Sequence, residues 1–340
     1  MAENQKKIKK LRYVTDAQPG IRRKKKGKFF AYLSPDGEEI VSQETINRIK
    51  SLSIPPAYTD VWICPHSNGH IQATGRDSLQ RKQYRYHPDW IQFQNTNKFQ
   101  RVYLFGETLP DIRKKVSYDL RKTDLSRKSV LAALVRIMDK SYVRVGNRGY
   151  AKAHKTFGLT TLRKKHVCIS QNEVTLKFEG KNKTPWHIQL QDPKIAQVVK
   201  KCTEIQGYEL FKYMDDIGIP HTLRSEDFNA YLKEVSGHDF TAKDFRTWAA
   251  CKEAFTLLCK KICSETLSER KKKIKEVVRS VASLMGHTEA ICKKSYIHPK
   301  LLKDWEEGLL QKWVSGKKIP NKEKLFLKWW KAHIKEGSVG

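Results

Sequence analysis

The spacing of hydrophobic residues changes near residue 90, and this change restricts the fold more than any other feature of the chain. Before it, short apolar segments at 29–33 and 61–64 are followed by the turn sequences Ser-Pro-Asp-Gly and Asn-Gly, as in β-hairpins. After it, apolar residues recur every three or four positions, as in amphipathic helices. We therefore expect an α+β protein, with a small, mostly β N-terminal domain and a larger, mainly α-helical domain.

One segment interrupts the helical part. Between residues 174 and 179 apolar and polar side chains alternate, as in a half-buried strand. Similar segments at 166–170 and 187–191 flank it, which predicts a three-stranded β insert. We assign residues 1–28 to a basic N-terminal arm, 29–95 to the β-rich domain and 96–340 to the helical domain, which includes C-terminal helices over 297–340.

Charge narrows the class of partner. The 340 residues include 67 Lys plus Arg and 36 Asp plus Glu, and the resulting formal charge of +31 is spread along the chain. Such an excess favours a polyanion, because each neutralised phosphate releases condensed counterions. Ribosomal and membrane-surface proteins share this composition, so charge alone does not fix the partner. A hydrophobic content of 39% is sufficient for packed cores.

The cysteines do not form a recognisable framework. There are seven, they form no CxxC pair, and they indicate neither disulfides nor a zinc ribbon. No apolar run approaches the ~18 residues of a membrane span, and no signal peptide is recognised. We expect a cytoplasmic protein, associated with the nucleoid in a bacterium, or with virion or infected-cell DNA in a virus.

Five polar residues match the groups that cleavage of a phosphodiester requires. Tyr296 is the candidate nucleophile. Arg144, Arg246 and His287 are candidates for binding the phosphate, since arginine donates two parallel hydrogen bonds and keeps its charge. Lys181, in a Gly-Lys-Asn-Lys turn, is the candidate proton donor. Taken singly, each also has a structural interpretation: a solvated arginine, a turn lysine, a helix-capping histidine or a packed tyrosine.

The order and local setting of these residues carry a family resemblance over most of the chain. The matching segments are Arg144-Val145-Gly146 with Tyr150, 157–162, Phe178-Glu179-Gly180-Lys181, 243–248, Gly286-His287-Thr288 and Lys294-Ser295-Tyr296. Together they resemble the type IB DNA topoisomerases of the poxviral and bacterial kind, whose catalytic domain is like that of eukaryotic topoisomerase I. The resemblance implies a tyrosine recombinase/topoisomerase IB-like catalytic fold.

The resemblance also implies a reaction and its partners. Tyr296 would attack the scissile phosphate to give a 3′-phosphotyrosyl bond, after which the free strand rotates and is religated. Arg144, Arg246 and His287 would stabilise the transition state, with Lys181 donating a proton to the 5′ oxygen. The expected partner is double-stranded DNA, bound by a monomer and without a membrane. No cofactor is expected: no GxxxxGK[ST] motif is present, and Asp215-Asp216 lack a recognisable metal-ligand pattern.

Further residues are expected to bind DNA on the same resemblance, which gives the β-rich domain the role of a clamp on the opposite side of the duplex. They are Arg76, Arg81, Gln83, Tyr84 and Arg85 in the β-rich domain, and Gly146, Tyr150 and Thr161 in the catalytic domain. One departure from the family is visible, because Leu79-Gln80 stands where a glycine-containing turn is expected.

Three other functions remain open from the residues. A tyrosine recombinase or integrase uses nearly the same five residues, although its N-terminal module is more often helical. A non-enzymatic DNA-binding protein would suit the same charge and aromatic content. A metal-dependent nuclease would have to use Asp215 and Asp216.

Overall fold

The computed structural model describes residues 10–27, 29–263, 265–316 and 321–335, except for the side chains of residues 96, 334 and 335. The chain combines many α-helices with a small N-terminal sheet. It divides into two compact units after Phe99, close to the boundary expected at residue 95.

The first unit is built on a five-stranded antiparallel sheet in the order β2-β1-β3-β4-β5. Its elements are β1 (Ile21–Lys26), β2 (Phe29–Leu33), α1 (Gln43–Ser51), β3 (Thr59–Ile63), β4 (Ile71–Arg76) and β5 (Lys82–Tyr86). Helix α1 lies between β2 and β3 in the chain. Its one buried side chain, Ile49, packs with Ile21, Val61, Ile63 and Ala73 of the sheet.

The predicted basic arm is wrong for residues 21–26, because they form strand β1 between β2 and β3. Backbone pairing needs no apolar side chains, so a run of arginines and lysines concealed the strand from the periodicity. Arg23 also donates hydrogen bonds to the carbonyl oxygens of Pro55 and Tyr58, at 3.1 and 2.7 Å. Residues 1–9 and residue 28 of the predicted arm lie outside the described residues.

The remaining helices follow the sheet. They are α2 (Pro88–Asp119), α3 (Arg127–Ser141), α4 (Arg148–His154), α5 (Pro193–Glu204), α6 (Ser225–Ser236), α7 (Ala242–Lys260), α8 (Leu267–Met285), α9 (Glu289–Ser295), α10 (Pro299–Glu306), α11 (Leu309–Val314) and α12 (Lys322–Trp330). Helix α3 packs against α5 and α6, and α7 packs against α8 and α12. None of the helices in the described part of the chain has the length and apolar composition needed to cross a bilayer.

A three-stranded antiparallel sheet interrupts the helices as expected, in the order β6 (Val167–Ser170), β7 (Glu173–Gly180) and β8 (Thr184–Gln191). Val174, Leu176 and Phe178 are all buried, which explains the alternation seen in the sequence. The β7–β8 hairpin turns through Lys181–Lys183, where Asn182 and Lys183 have positive φ angles. A second, two-stranded sheet contains β9 (Lys212–Met214) and β10 (Pro220–Thr222).

The C-terminal helices supply much of the aromatic core. Trp305, Trp329 and Trp330 are each at most 1% exposed, and Trp330 packs edge-on against Phe326. The adjacent Trp329 and Trp330 are therefore core residues and do not form a surface on which bases could stack.

Candidate active site

The loop that carries Arg144 is fixed by backbone pairing with a later segment. It follows Tyr142, which ends α3 in the left-handed conformation. Leu159 N–H donates to the Arg144 carbonyl oxygen at 2.9 Å, and Thr160 N–H donates to Val145 at 2.7 Å. These bonds make the loop a rigid support for the Arg144 side chain.

Gly146 and Thr161, which are both expected to bind DNA, also stabilise this loop. Gly146 has φ +102°, and a Cβ there would lie 2.8 Å from Thr161 Oγ1. The Thr161 hydroxyl donates to the Gly158 carbonyl oxygen at 3.0 Å and accepts from Gly158 N–H at 2.9 Å. Thr161 is only 7% exposed, so its side chain supports the loop from inside.

Arg246 lies in the first turns of α7 and is 4% exposed. Its Nη1 donates to the Tyr142 carbonyl oxygen and its Nη2 donates to the Met285 carbonyl oxygen at 2.7 Å. The same Nη2 lies 2.8 Å from His287 Nε2. Arg246 therefore joins the end of α3 to the end of α8.

His287 and Tyr296 lie at opposite ends of a short connection. Gly286 ends α8 with φ +58°, and Tyr296 ends α9. The rings of His287 and Tyr296 are in contact, with centroids 4.0 Å apart. Arg144 Nη2 donates to the Gly286 carbonyl oxygen at 3.0 Å. Tyr296 is partly exposed, so its phenol is not sealed in the interior.

The two guanidinium groups place positive charge in a partly enclosed site, with Arg246 buried and Arg144 half-buried. Burial lowers the pKa of Arg144, whereas an ionised Tyr296 would raise it. Burial also lowers the pKa of Arg246, repulsion from Arg144 lowers it further, and Tyr296 opposes both effects. In the described part of the chain, no carboxylate is bonded to either guanidinium; their partners are carbonyl oxygens, His287 and Tyr296.

His287 is neutral in this setting. Burial, followed by the charges of Arg246, Arg144 and Lys181, lowers its pKa to about 3. A neutral imidazole offers one N–H and one acceptor nitrogen, so Nε2 accepts from Arg246 when Nδ1 carries the proton. Two nitrogen atoms here are buried without a hydrogen-bond partner among the described residues, His287 Nδ1 and Arg144 Nη1.

Lys181 lies at the exposed tip of the β7–β8 hairpin, immediately after Gly180. Its ammonium group lies over the ring of Tyr150, 5.6 Å from the centroid, and its charge acts on His287. Phe157 N–H donates to the Glu179 carbonyl oxygen at 2.7 Å, which ties the hairpin to the segment that supports Arg144. The five predicted catalytic residues thus belong to one local network.

The candidate DNA-binding residues of the first unit lie on β4, on β5 and in the turn between them. Arg81 Nε and Gln83 Nε2 both donate to Asp77 Oδ2, at 2.8 and 2.9 Å. Arg85 donates to the Ser53 carbonyl oxygen, and Arg76 donates to the carbonyl oxygen of Gln80.

Tyr84 is 42% exposed on β5 and stacks on Tyr86 with ring centroids 5.8 Å apart. Gln80 has φ +58°, so the turn adopts the conformation for which a glycine was expected.

No group of three or more His, Cys, Asp or Glu side chains in the described ranges is arranged to hold a metal ion. Asp215 does have a histidine partner that the local sequence pattern did not indicate, because His221 Nε2 lies 2.7 Å from its Oδ2 across the β9–β10 hairpin.

Sequence reasoning missed residues that position the site through backbone atoms. Tyr142 accepts from Arg246 with its carbonyl oxygen, while its phenol accepts from Lys252 and donates to Glu253. Cys251 donates to the Tyr296 carbonyl oxygen at 3.0 Å. A carbonyl is present in every residue, so no side-chain pattern distinguishes the ones used here. The sequence likewise contained no indication of a role for Trp186.

Known proteins match this chain over most of its length. Residues 87–319 match the eukaryotic DNA topoisomerase I catalytic core, and residues 29–77 match the N-terminal domain of bacterial DNA topoisomerase IB. A DNA topoisomerase 1B of Acanthamoeba polyphaga mimivirus is 35% identical over 82% of this chain and 85% of its own length. The DNA topoisomerase 1B of vaccinia virus (strain Western Reserve) and the DNA topoisomerase I of monkeypox virus are each 26% identical over 82% of this chain and 87% of their own lengths. The chain belongs to the type IB DNA topoisomerases.

Proposed function

We propose that this enzyme relaxes supercoiled duplex DNA through a transient bond between Tyr296 and a 3′-phosphate. One observation carries the proposal: Arg246 is buried and Arg144 is half-buried beside Tyr296, and no described carboxylate neutralises either of them. Buried charges in proteins are usually paired, so this pocket calls for an anion from outside. A phosphodiester provides one negative charge and the acceptor oxygens that the unpartnered Arg144 Nη1 lacks.

The residues around the phosphate have separate roles. Arg144 and Arg246 bind the two non-bridging oxygens and offset the charge that grows on them in the pentavalent transition state. His287 donates one N–H to the same oxygens as a neutral imidazole. Without DNA, Nε2 accepts from Arg246 and the proton is on Nδ1. When Arg246 turns its N–H to a phosphate oxygen instead, Nε2 can carry the proton and donate it to the phosphate.

The chemical step exchanges one phosphoester bond for another. The oxygen of Tyr296 loses its proton to solvent, forms a bond to phosphorus, and displaces the 5′ oxygen of the next nucleotide. Lys181 donates a proton to that oxygen as it departs. Religation reverses each transfer: the 5′ hydroxyl attacks, Lys181 takes back its proton, and Tyr296 leaves. The bonds are of similar energy, so the cycle needs no ATP.

Double-stranded DNA is the proposed substrate, because rotation about an intact strand relaxes torsion only in a duplex. The formal charge of +31 suits it. One chain contains all five groups of the reaction, and we therefore propose that a monomer acts.

The decisive experiment removes one oxygen. Tyr296→Phe should abolish relaxation of a supercoiled plasmid, in buffer with EDTA and without ATP, while duplex binding stays within about 3-fold of the unaltered protein, since the phosphate contacts of the arginines and His287 remain. Trapping with denaturant should give a covalent protein–DNA adduct with the unaltered protein only.

Two results would oppose the proposal. Relaxation by Tyr296→Phe would remove Tyr296 as the nucleophile. Strand transfer between two duplexes without relaxation would instead favour a recombinase.

A further inference from the structure

Trp186 lies where the Lys181 turn meets the His287 turn. It stands on β8 opposite Phe178 of β7, and the two rings are stacked with centroids 6.3 Å apart. Its indole contacts two glycines that are far apart in sequence, Gly180 and Gly286. Each glycine directly precedes one of the proposed active-site residues, Lys181 or His287.

Different parts of the indole contact the two glycines. A Cβ built on Gly180 would lie 2.6 Å from Trp186 Nε1 and 2.7 Å from Cδ1, so the pyrrole side of the ring lies against this residue. A Cβ on Gly286 would lie 2.9 Å from Cζ2, on the benzene side. Both distances are shorter than a Cβ tolerates, so the two turns approach the indole as closely as glycine permits.

Space, not backbone conformation, requires glycine at position 180. Gly180 has φ −89° and ψ −172°, values that any residue adopts. Gly286 differs, because its φ of +58° favours glycine as a helix C-cap in any case.

The two turns depend on Trp186 to different degrees. The Gly286 turn is also held by Arg144, which donates to the Gly286 carbonyl oxygen, and by Arg246, which donates to the neighbouring Met285 carbonyl oxygen. The Lys181 turn is an exposed hairpin tip with positive φ angles at Asn182 and Lys183. Removal of the indole should therefore displace Lys181 more than His287.

We propose that Trp186 is a positioning residue that sets the distance between the Lys181 ammonium group and the phosphate site formed by Arg144, Arg246 and His287. This inference rests on the proposed function, in which Lys181 protonates the 5′ oxygen. Loss of alignment by about 1 Å typically slows a reaction on the order of 100-fold.

The test compares two leaving groups under single-turnover conditions. Trp186→Ala should slow cleavage of an ordinary duplex by roughly 10- to 100-fold. With sulfur in place of the 5′ bridging oxygen, the leaving thiolate needs no proton, and the defect should shrink to within about 3-fold of the unaltered enzyme. Trp186→Phe, which keeps a ring on Phe178, should show the same preference for sulfur with a smaller defect.

Two controls separate positioning from general damage. His187→Ala removes an exposed neighbour on the opposite face of β8 and should leave both rates unchanged. A partly unfolded preparation lowers the amplitude of cleavage on both substrates without changing the ratio of their rate constants.

The outcomes distinguish this inference from the proposed function. If Lys181→Ala is not rescued by the sulfur substrate, the proton-donor assignment itself is wrong. If Lys181→Ala is rescued but Trp186→Ala is equally slow on both substrates, or is not slow at all, only the role of Trp186 is wrong.

A double-mutant cycle tests the steric contact directly. Gly180→Ala should impair cleavage when Trp186 is present, because the added methyl group meets the indole. In the Trp186→Ala background the same change should have little further effect, since the backbone angles of Gly180 suit alanine. Equal harm in both backgrounds would show that the indole is not the reason for glycine.

Discussion

Arg246 shows at the scale of one residue how burial changes the meaning of a charge. On a protein surface this arginine would be solvated, but here it is 4% exposed and bonded to two carbonyl oxygens and a histidine. Its residue type suggested that it binds phosphate. Its burial without a described carboxylate partner explains physically why it would bind an anion. Arg144 is half-buried and likewise has no described carboxylate partner.

Replacement of His287 should show that a neutral donor is sufficient. Its pKa of about 3 leaves the imidazole uncharged at neutral pH, so loss of charge should not explain a defect. His287→Gln places an amide nitrogen near the position of Nε2, whereas His287→Asn places it near Nδ1. We expect Gln to retain more cleavage activity than Asn, and Ala to lose on the order of 10- to 100-fold, the effect of one hydrogen bond to a charged group.

Single-turnover cleavage rates would decide this point. Equal, severe defects in the Gln, Asn and Ala variants would mean that the imidazole acts as a cation or through its ring contact with Tyr296.

The pH dependence of stability should also report His287. Its pKa in the folded protein lies below the usual 6.5, so between about pH 6.5 and 3 the unfolded chain binds the proton more readily. Stability attributable to this residue therefore falls as pH decreases through that range and is constant above it. Relative to His287→Gln, the unaltered protein should lose stability from pH 7 to pH 4 in urea unfolding.

Both proteins contain the same carboxylates, so the contribution of these groups to the pH dependence of stability cancels in this comparison. A difference between the two proteins that does not change with pH would mean that His287 is protonated or solvated in the folded state.

At the scale of helices and strands, local sequence signals indicate some elements, whereas other elements form through long-range contacts. The sequence Thr241-x-x-Asp244 is typical of a helix start and glycine of a helix end, and the structure contains both: Asp244 accepts from Thr241 N–H at 2.8 Å, and Gly286 is left-handed. Strand β1 was missed because its signal is in the backbone pairing. The charged run at 22–26 has neither alternation nor apolar character.

The loop after α3 provides a prediction at this scale. Gly146→Ala should destabilise the protein by about 1–3 kcal/mol, because φ +102° is strained for alanine and the added Cβ would meet Thr161 Oγ1. Thermal unfolding should detect a decrease of several degrees.

Gly149→Ala, in the following helix α4, is the matched control. There a Cβ would have one near neighbour, Asn147 Oδ1 at 3.2 Å, and alanine favours helices. If both changes left the melting temperature the same, Gly146 would not be needed for its conformation.

For the whole molecule, the net charge leads to a direct prediction about the salt dependence of DNA binding. A formal charge of +31 spread over the chain implies that phosphate contacts contribute much of the affinity for DNA. The logarithm of the binding constant should fall linearly with the logarithm of salt concentration, with a slope of about −0.9 per phosphate contacted.

Titration of Tyr296→Phe with a labelled duplex between 50 and 300 mM salt, roughly the range in which counterion release is measured, would give this slope. A flat dependence would contradict binding through phosphates.

The sequence by itself indicated several helices and hairpins and the five candidate reactive residues. Apolar periodicity, caps and turns are local properties of short segments, and the family motifs preserve residue order. These signals placed Lys181 in its turn and Tyr296 after Gly286-His287 without any knowledge of distances.

Only the tertiary structure decided how those residues meet. Arg144 bonds to a carbonyl group 142 residues away, and Arg246 bonds to one 104 residues away, so neither contact leaves a mark in local sequence. Packing also explains why no described carboxylate bonds to Arg144 or Arg246, and why the indole of Trp186 lies between Gly180 and Gly286. Packing depends on which distant surfaces exclude water together, and periodicity along the chain does not encode that pairing.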